Sequence, residues 1–352
     1  MRSIRNVSVA VVGGAGFLGS HLVNHLVEDR HCRVLVIDNL CVGKREFVHP
    51  DAEFYHADIT GSEEHLRSIF QHRKIHYVFN YAACPYIPDS FARPIHVCNV
   101  NFMAAMKVIN AAQESGCEAV LQVSSAEIYG GPDHQNVPTA EGCADVEWKI
   151  NESAPVVPHS SYGAAKAAID SWIQCAWRER KTPCIALRQF NCVGERETHP
   201  YVVPEIISQL SEFTGYEDDY RGQYVKPRRT GTPTVRLGNN SFRDFMYAGD
   251  AVRAAVLLLE RGQFGEVYNL GSESGIKMYD LAKQIGKVMG FADVTVVEDA
   301  ARKRPWEIWH LQSDNRKIVG AIGAEPTWTS FENVLRKAVG WFNVNGRKWP
   351  WE

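Results

Sequence analysis

The stretch that decides the fold is Gly13-Gly14-Ala15-Gly16-Phe17-Leu18-Gly19, which follows the apolar run Val7–Val12 and opens a helical pattern. Glycine allows the tight turn that leads from a strand into a helix, and it lets backbone come close to a pyrophosphate. The helix N-terminus behind the turn then presents free N–H groups to negative charge. A glycine-rich turn without a ligand would need neither the strand before it nor the helix after it, so the placement argues more strongly than the letters. Asp38 closes the next strand-like run, where a carboxylate can bind both ribose hydroxyls of an adenosine and repels a 2′-phosphate. The pair favours NAD over NADP, although Lys44 and Arg45 stand close enough in sequence to neutralise a phosphate. Asp58 either caps the helix after the third strand or faces the adenine.

Outward from this loop, the runs Arg33–Ile37, Glu53–His56, Tyr77–Asn80, Ala119–Val123 and Cys184–Leu187 alternate with helical patterns. Near-continuous apolar strands separated by helices predict an α/β fold, a doubly wound parallel (Rossmann) sheet covered on both faces. Residues 1–189 would form this dinucleotide-binding unit, with 236–262 packing back on it through a helix at Ala248–Arg261. Residues 190–235 and 263–352, including strand-like Val267–Leu270, would form a smaller substrate-binding region, with an inserted loop or lid at Glu217–Arg229.

Composition limits the function classes. The chain has 352 residues, 45% hydrophobic and 22% charged, with a net charge of -3. It offers no apolar run long enough to span a bilayer and no basic tract for nucleic acid. The start of the chain is too short for a signal peptide before the glycine loop begins, so a cytoplasmic enzyme is expected. Its nine cysteines show no paired or ligand-like spacing, which predicts reduced thiols and no metal site.

A second constellation carries chemistry. Tyr162-Gly163-Ala164-Ala165-Lys166 begins a helical pattern opened by Ser160 or Ser161, placing phenol and ammonium one turn apart on one face. A lysine beside a phenol stabilises phenolate and would make it a usable base. Tyr279 and Lys283 share this spacing but lie far beyond the sheet-forming region. The run Ser124-Ser125-Ala126-Glu127-Ile128-Tyr129-Gly130 starts where the fifth strand ends, at the carboxyl edge where open α/β sheets bind ligands.

With these motifs in view, the chain resembles the nucleotide-sugar epimerase/dehydratase branch of the extended short-chain dehydrogenase/reductases over nearly its whole length. The glycine loop, Asp38-Asn39-Leu40, Asn80-Tyr81-Ala82-Ala83, Asn99-Val100, the Ser-Ser…Tyr-Gly turn, Tyr162 with Lys166, Arg188-Gln189-Phe190-Asn191 and Arg243-Asp244-Phe245 carry the likeness. The resemblance implies that Tyr162 takes the proton of the sugar O4 and that Ser125 hydrogen-bonds that oxygen. It implies further that Lys166 holds the nicotinamide ribose, and that hydride leaves C4 for NAD to give a 4-keto sugar. It adds Phe17, Leu18, Asn39, Asp58, Ile59, Tyr81, Ala82, Ala83 and Asn99 to Gly13, Gly16, Gly19 and Asp38 as cofactor contacts. Asn191, Arg243 and Arg304 would contact the diphosphate of a nucleotide-diphosphate sugar.

Glu127 bears on the fate of the oxidised sugar. Dehydratases and decarboxylases of this family commonly carry glutamate two positions after the catalytic hydroxyl, whereas many 4-epimerases carry Thr or Ser. Ala126, however, stands where several dehydratases place an aspartic acid that protonates the leaving group. The open readings are a 4,6-dehydratase or 4-epimerase, a hexuronate decarboxylase, and a non-catalytic dinucleotide sensor or scaffold. A loop carboxylate binding backbone N–H groups is the plain alternative for Glu127. Phe102-Met103 and Tyr81 depart from the usual family residues. Apolar Met103, Met106, Trp172 and Trp177 on two helices suggest a homodimer, by analogy.

Overall fold

The computed structural model describes residues 2–130, 148–197, 200–213, 232–304, 306–323 and 328–345. Its strands are β1 (Ser8–Val12), β2 (Arg33–Asp38), β3 (Glu53–His56), β4 (Tyr77–Asn80), β5 (Ala119–Ser125), β6 (Cys184–Gln189), β7 (Asn191–Val193), β8 (Thr234–Leu237), β9 (Phe242–Tyr247), β10 (Val267–Leu270), β11 (Gly275–Lys277), β12 (Thr295–Glu298) and β13 (His310–Leu311). Seven of them form one sheet in the order β10-β6-β5-β4-β1-β2-β3. Every neighbouring pair in it is parallel.

Burial on both faces explains the uninterrupted apolar strands. In β1, Val9 and Val11 face the core that includes the helices Phe17–Glu28 and Ala248–Arg261, while Ala10 and Val12 face the core of Glu63–His72, Ala105–Glu114 and Ser161–Arg180. All five residues of β1 are buried, and no polar side chain could stand on either face without losing its water. The chain departs from β1 toward β2 on one side and toward β4 on the other. This reversal is the crevice-forming switch point of a doubly wound sheet.

The smaller region joins β7, β9, β11 and β13 in a second sheet, with β8 and β12 paired separately. Its core lies between helices Val202–Ser211, Met278–Val288 and Phe331–Asn345. One expectation is corrected here: Val267–Leu270 does not belong to that region but pairs with β6 at the edge of the main sheet. The preceding helix Ala248–Arg261 packs on the sheet, and the crossover through it delivers the next strand alongside β6. The expected insertion at Glu217–Arg229 lies outside the described residues. Among the described residues no helix is long and apolar enough to cross a membrane, and no group of side chains could hold a metal ion.

Candidate active site

The carboxyl ends of β1, β2, β4, β5 and β6 open on one cleft of about 890 Å³. At its cofactor end, Gly13 has φ +79°, and a Cβ there would stand 2.5 Å from Ala82 N. Only glycine lets the β1 and β4 loops approach so closely. Gly16 caps the helix Phe17–Glu28 without any side-chain hydrogen bond, and the first turn carries no acid. The N–H groups at Phe17, Leu18 and Gly19 therefore remain available to an anion. Asp38 is pinned at the tip of β2 by two backbone donors, Ala15 N at 3.0 Å and Leu40 N at 2.8 Å. Neither Lys44 nor Arg45 lines the cleft, and the Arg45 guanidinium lies over the Phe54 ring at 4.7 Å. The site thus fits a dinucleotide with an unphosphorylated 2′-hydroxyl.

Asp58 combines a turn-holding role with a place in the cleft. It lines the cavity, and it also accepts from Thr60 N at 2.8 Å, Thr60 Oγ1 at 2.7 Å and Asn39 Nδ2 at 3.0 Å. The Thr60 bonds hold its carboxyl below the usual range. Ile59, Tyr81, Ala82, Ala83 and Asn99 line the same end. Asn101, buried just beyond Asn99, accepts from Cys84 N at 2.8 Å and donates to Cys84 O at 3.1 Å, which fixes the loop after β4.

Toward the other end, Ser160 caps the helix Ser161–Arg180 by accepting Gly163 N at 3.1 Å. The cap aims Tyr162 and Lys166 at the tip of β5. The Tyr162 hydroxyl stands close enough to Ser125 for the serine to lower its pKa, in line with the motif spacing. Lys166 behaves otherwise than expected: its ammonium donates to Val123 O at 2.8 Å and lies 5.9 Å from the Tyr162 ring centre. Burial pushes the phenol up to about 12, offset partly by Ser125, and lowers Lys166 to about 8. Desolvation is the largest influence on both groups.

Glu127 departs from its plain alternative. Among the described residues no backbone N–H bonds its carboxylate, which faces the cleft near Arg243, Arg304 and Glu307. Burial raises its pKa, and the two arginines offset that rise in part. Arg243 is already committed, ion-paired with Glu307 at 2.5 Å in a nearly buried contact. Arg304 is exposed at the rim. Asn191 lines the cleft with its Oδ1 buried and unpartnered. Tyr279 and Lys283 do not line it.

Every site residue expected from sequence thus borders one cavity, although these residues come from many separate elements. Comparison with known proteins points the same way. The model of the NAD dependent epimerase/dehydratase family matches residues 9–271. This chain belongs to that family. Among its relatives, the dTDP-D-glucose 4,6-dehydratase of Mus musculus is 27% identical over 97% of this chain and 90% of its own length. The UDP-glucose 4-epimerase of Lacticaseibacillus casei is 28% identical over 95% of this chain and 96% of its own. The solved UDP-glucose 4-epimerase of Thermus thermophilus, in complex with NAD, superposes with a TM-score of 0.77 at 25% identity, covering 95% of this chain and 98% of that one. NAD is the cofactor of the family, and the glycine loop and Asp38 fit it.

The family motifs did not reveal the whole cleft. Cys84, Tyr86, Glu197 and Tyr201 also line it. Glu197 follows the Arg188–Asn191 motif by a few residues, and only the turn at Gly194–Glu197 brings it inward. Arg188, part of that motif, does not reach the cleft. It is buried against Asp170 at 2.8 Å and the Tyr129 hydroxyl at 2.8 Å, and it holds the floor beneath Lys166.

Proposed function

We propose that this family member oxidises a nucleotide-diphosphate sugar at C4 and then eliminates water from the 4-keto intermediate, as a 4,6-dehydratase. The observation that carries the oxidation step is the meeting of Tyr162 and Ser125 in the one cleft that also holds the glycine loop and Asp38. Tyr162 takes the O4 proton, Ser125 holds the oxygen, and Lys166, fixed by Val123 O, orients the nicotinamide ribose. NAD, when bound, supplies the hydride acceptor and a positively charged ring that the protein alone does not place beside the phenol. Asn191 donates its Nδ2 to the substrate's diphosphate, and Arg304 meets it at the rim. Arg243 serves first to hold Glu307, so its charge contributes less to the diphosphate than its motif suggests.

Glu127 favours elimination over simple epimerisation. A carboxylate in the cleft with a raised pKa and no backbone tether is a base for C5–H, whereas hydride return on the other face requires no such group. A 4-epimerase remains the second reading, supported by relatives of that activity.

The test mixes the NAD-loaded protein with UDP-, GDP-, dTDP- and CDP-sugars while following NADH absorbance and product mass. Loss of water marks a dehydratase, unchanged mass an epimerase, and loss of carbon dioxide a decarboxylase. Silence toward all of them would support a binding module instead. We further infer a homodimer built on the exposed apolar residues Phe91, Ile95 and Met103. Trp172 and Met106 are partly buried against the core of the monomer, and Trp177 meets Phe264 at a tilt with ring centres 5.7 Å apart. The described cysteines are all free, in keeping with a cytoplasmic setting.

A further inference from the structure

Position 126, which would supply the acid for a departing hydroxyl, holds an alanine that is buried. Elimination of water from C6 still needs a proton, because hydroxide is a poor leaving group. Three of the other carboxyls bordering the cleft are taken up by arginines: Asp89 by Arg93, Glu205 by Arg302 and Glu307 by Arg243. Glu197 is different. It is 6% exposed, the Gly194 backbone lies near its carboxyl, and its Oε2 has no hydrogen-bond partner. Arg196, immediately before it, sits at φ +70°, a left-handed conformation costly for a residue with a Cβ. That turn directs Glu197 inward. Tyr201 lies within electrostatic reach of both Glu197 and Tyr162, and its ring meets Tyr86 edge-on at 6.5 Å. These residues enclose the part of the cleft where Tyr162 would meet the sugar.

We propose that Glu197 is the acid that protonates the departing C6 hydroxyl of the 4-keto intermediate, in place of the group missing at 126. Burial without a paired cation raises its carboxyl well above the usual range, which favours the protonated form. In the step, Glu127 takes the C5 proton and the C6–O bond breaks. The leaving oxygen takes the Glu197 proton and departs as water. The hydride removed from C4 returns at C6, Glu127 returns its proton to C5, and the proton that Tyr162 took from O4 restores Glu197. The sum is loss of one water with no external oxidant or reductant. This inference rests on the dehydratase reading above.

The test compares wild type with Glu197→Gln on UDP-glucose and dTDP-glucose and on their 6-deoxy-6-fluoro analogues, whose fluoride departs with little help from an acid. In the variant, NADH absorbance on C4 oxidation is expected to appear as in wild type. Water loss should slow by about 10²–10⁴-fold, the usual contribution of a general acid, whereas fluoride loss should stay within about tenfold of wild type by the same reasoning. A merely structural role would slow both eliminations equally, and that result overturns the assignment. So does wild-type water loss in the variant. Failure of the wild type to form any NADH, or a wild-type product of unchanged mass, would instead refute the proposed function itself, and the wild-type absorbance and product mass tell the two failures apart.

Discussion

Gly13→Ala is the perturbation whose consequences the structure fixes most closely. Two penalties combine at this position. The backbone sits at φ +79°, where an L-residue loses roughly 1–2 kcal/mol. The new methyl would also stand 2.5 Å from Ala82 N, 2.8 Å from Ala82 Cα and 2.8 Å from Tyr81 C. All three atoms are backbone, so no rotamer relieves the contact, and overpacking of this kind costs about 1–3 kcal/mol. Together the loss is about 2–5 kcal/mol, taken partly as stability and partly by parting the β1 and β4 loops. A parting that costs about 1.4 kcal/mol of binding weakens NAD about tenfold. Gly116 provides the control. It has φ +78°, yet nothing lies within 4 Å of a Cβ built there, so Gly116→Ala carries only the backbone penalty. Calorimetric titration with NAD and thermal melts of both variants make the comparison. Gly13→Ala should bind NAD at least about tenfold more weakly and melt lower than Gly116→Ala. Equal NAD affinity and equal melting in the two variants would refute the claim that the glycine exists for close approach of the two loops.

Two further expectations come from the same geometry. Removing the Ser125 hydroxyl takes away the influence that lowers the Tyr162 pKa and partly offsets the burial that raises it to about 12. Phenolate forms as pH rises, so kcat/KM in Ser125→Ala should climb only at more alkaline pH than in wild type. The displacement should be about 1–2 pH units, the equivalent of about 1.5–3 kcal/mol for a bond to a charged group, and superimposable pH profiles would count against it. Arg188→Met strips the partner from the buried carboxylate of Asp170, which should destabilise the fold by about 3–5 kcal/mol. Adding Asp170→Asn to that variant should recover much of the loss in denaturant titrations, and no recovery would show that the ion pair is not what holds the floor under Lys166.

Much of this architecture is legible in the sequence because it is enforced locally. The glycines are demanded by a strand-to-helix turn, the apolar strands by burial on two faces, and the Tyr-Lys spacing by one turn of helix. The features that escape sequence reasoning depend on long-range placement. Val267–Leu270 reads as a short strand in the sequence, and only the crossover through Ala248–Arg261 assigns it to the main sheet. The spacing of Tyr162 and Lys166 shows their proximity but not its electrostatic consequence. Burial of both groups is a property of the assembled cleft, and it is the largest influence on each. Arg243 looks free for a diphosphate in the sequence because Glu307, its partner, lies 64 residues further along the chain. Glu197 carries no motif of its own, and its role follows from an inward turn and an unsatisfied oxygen.

The central claim is that the phenol of Tyr162 begins catalysis by taking a proton from a sugar hydroxyl while hydride leaves the same carbon. Its most direct test is a single-turnover measurement of NADH absorbance after mixing NAD-loaded protein with a nucleotide sugar accepted by the wild type, in wild type and in Tyr162→Phe. The wild type should show a transient rise. The variant should bind NAD with unchanged affinity, keep its hydrogen-bonding loss confined to one hydroxyl, and form NADH at least about 10²-fold more slowly. NADH formation at the wild-type rate in Tyr162→Phe would contradict the account.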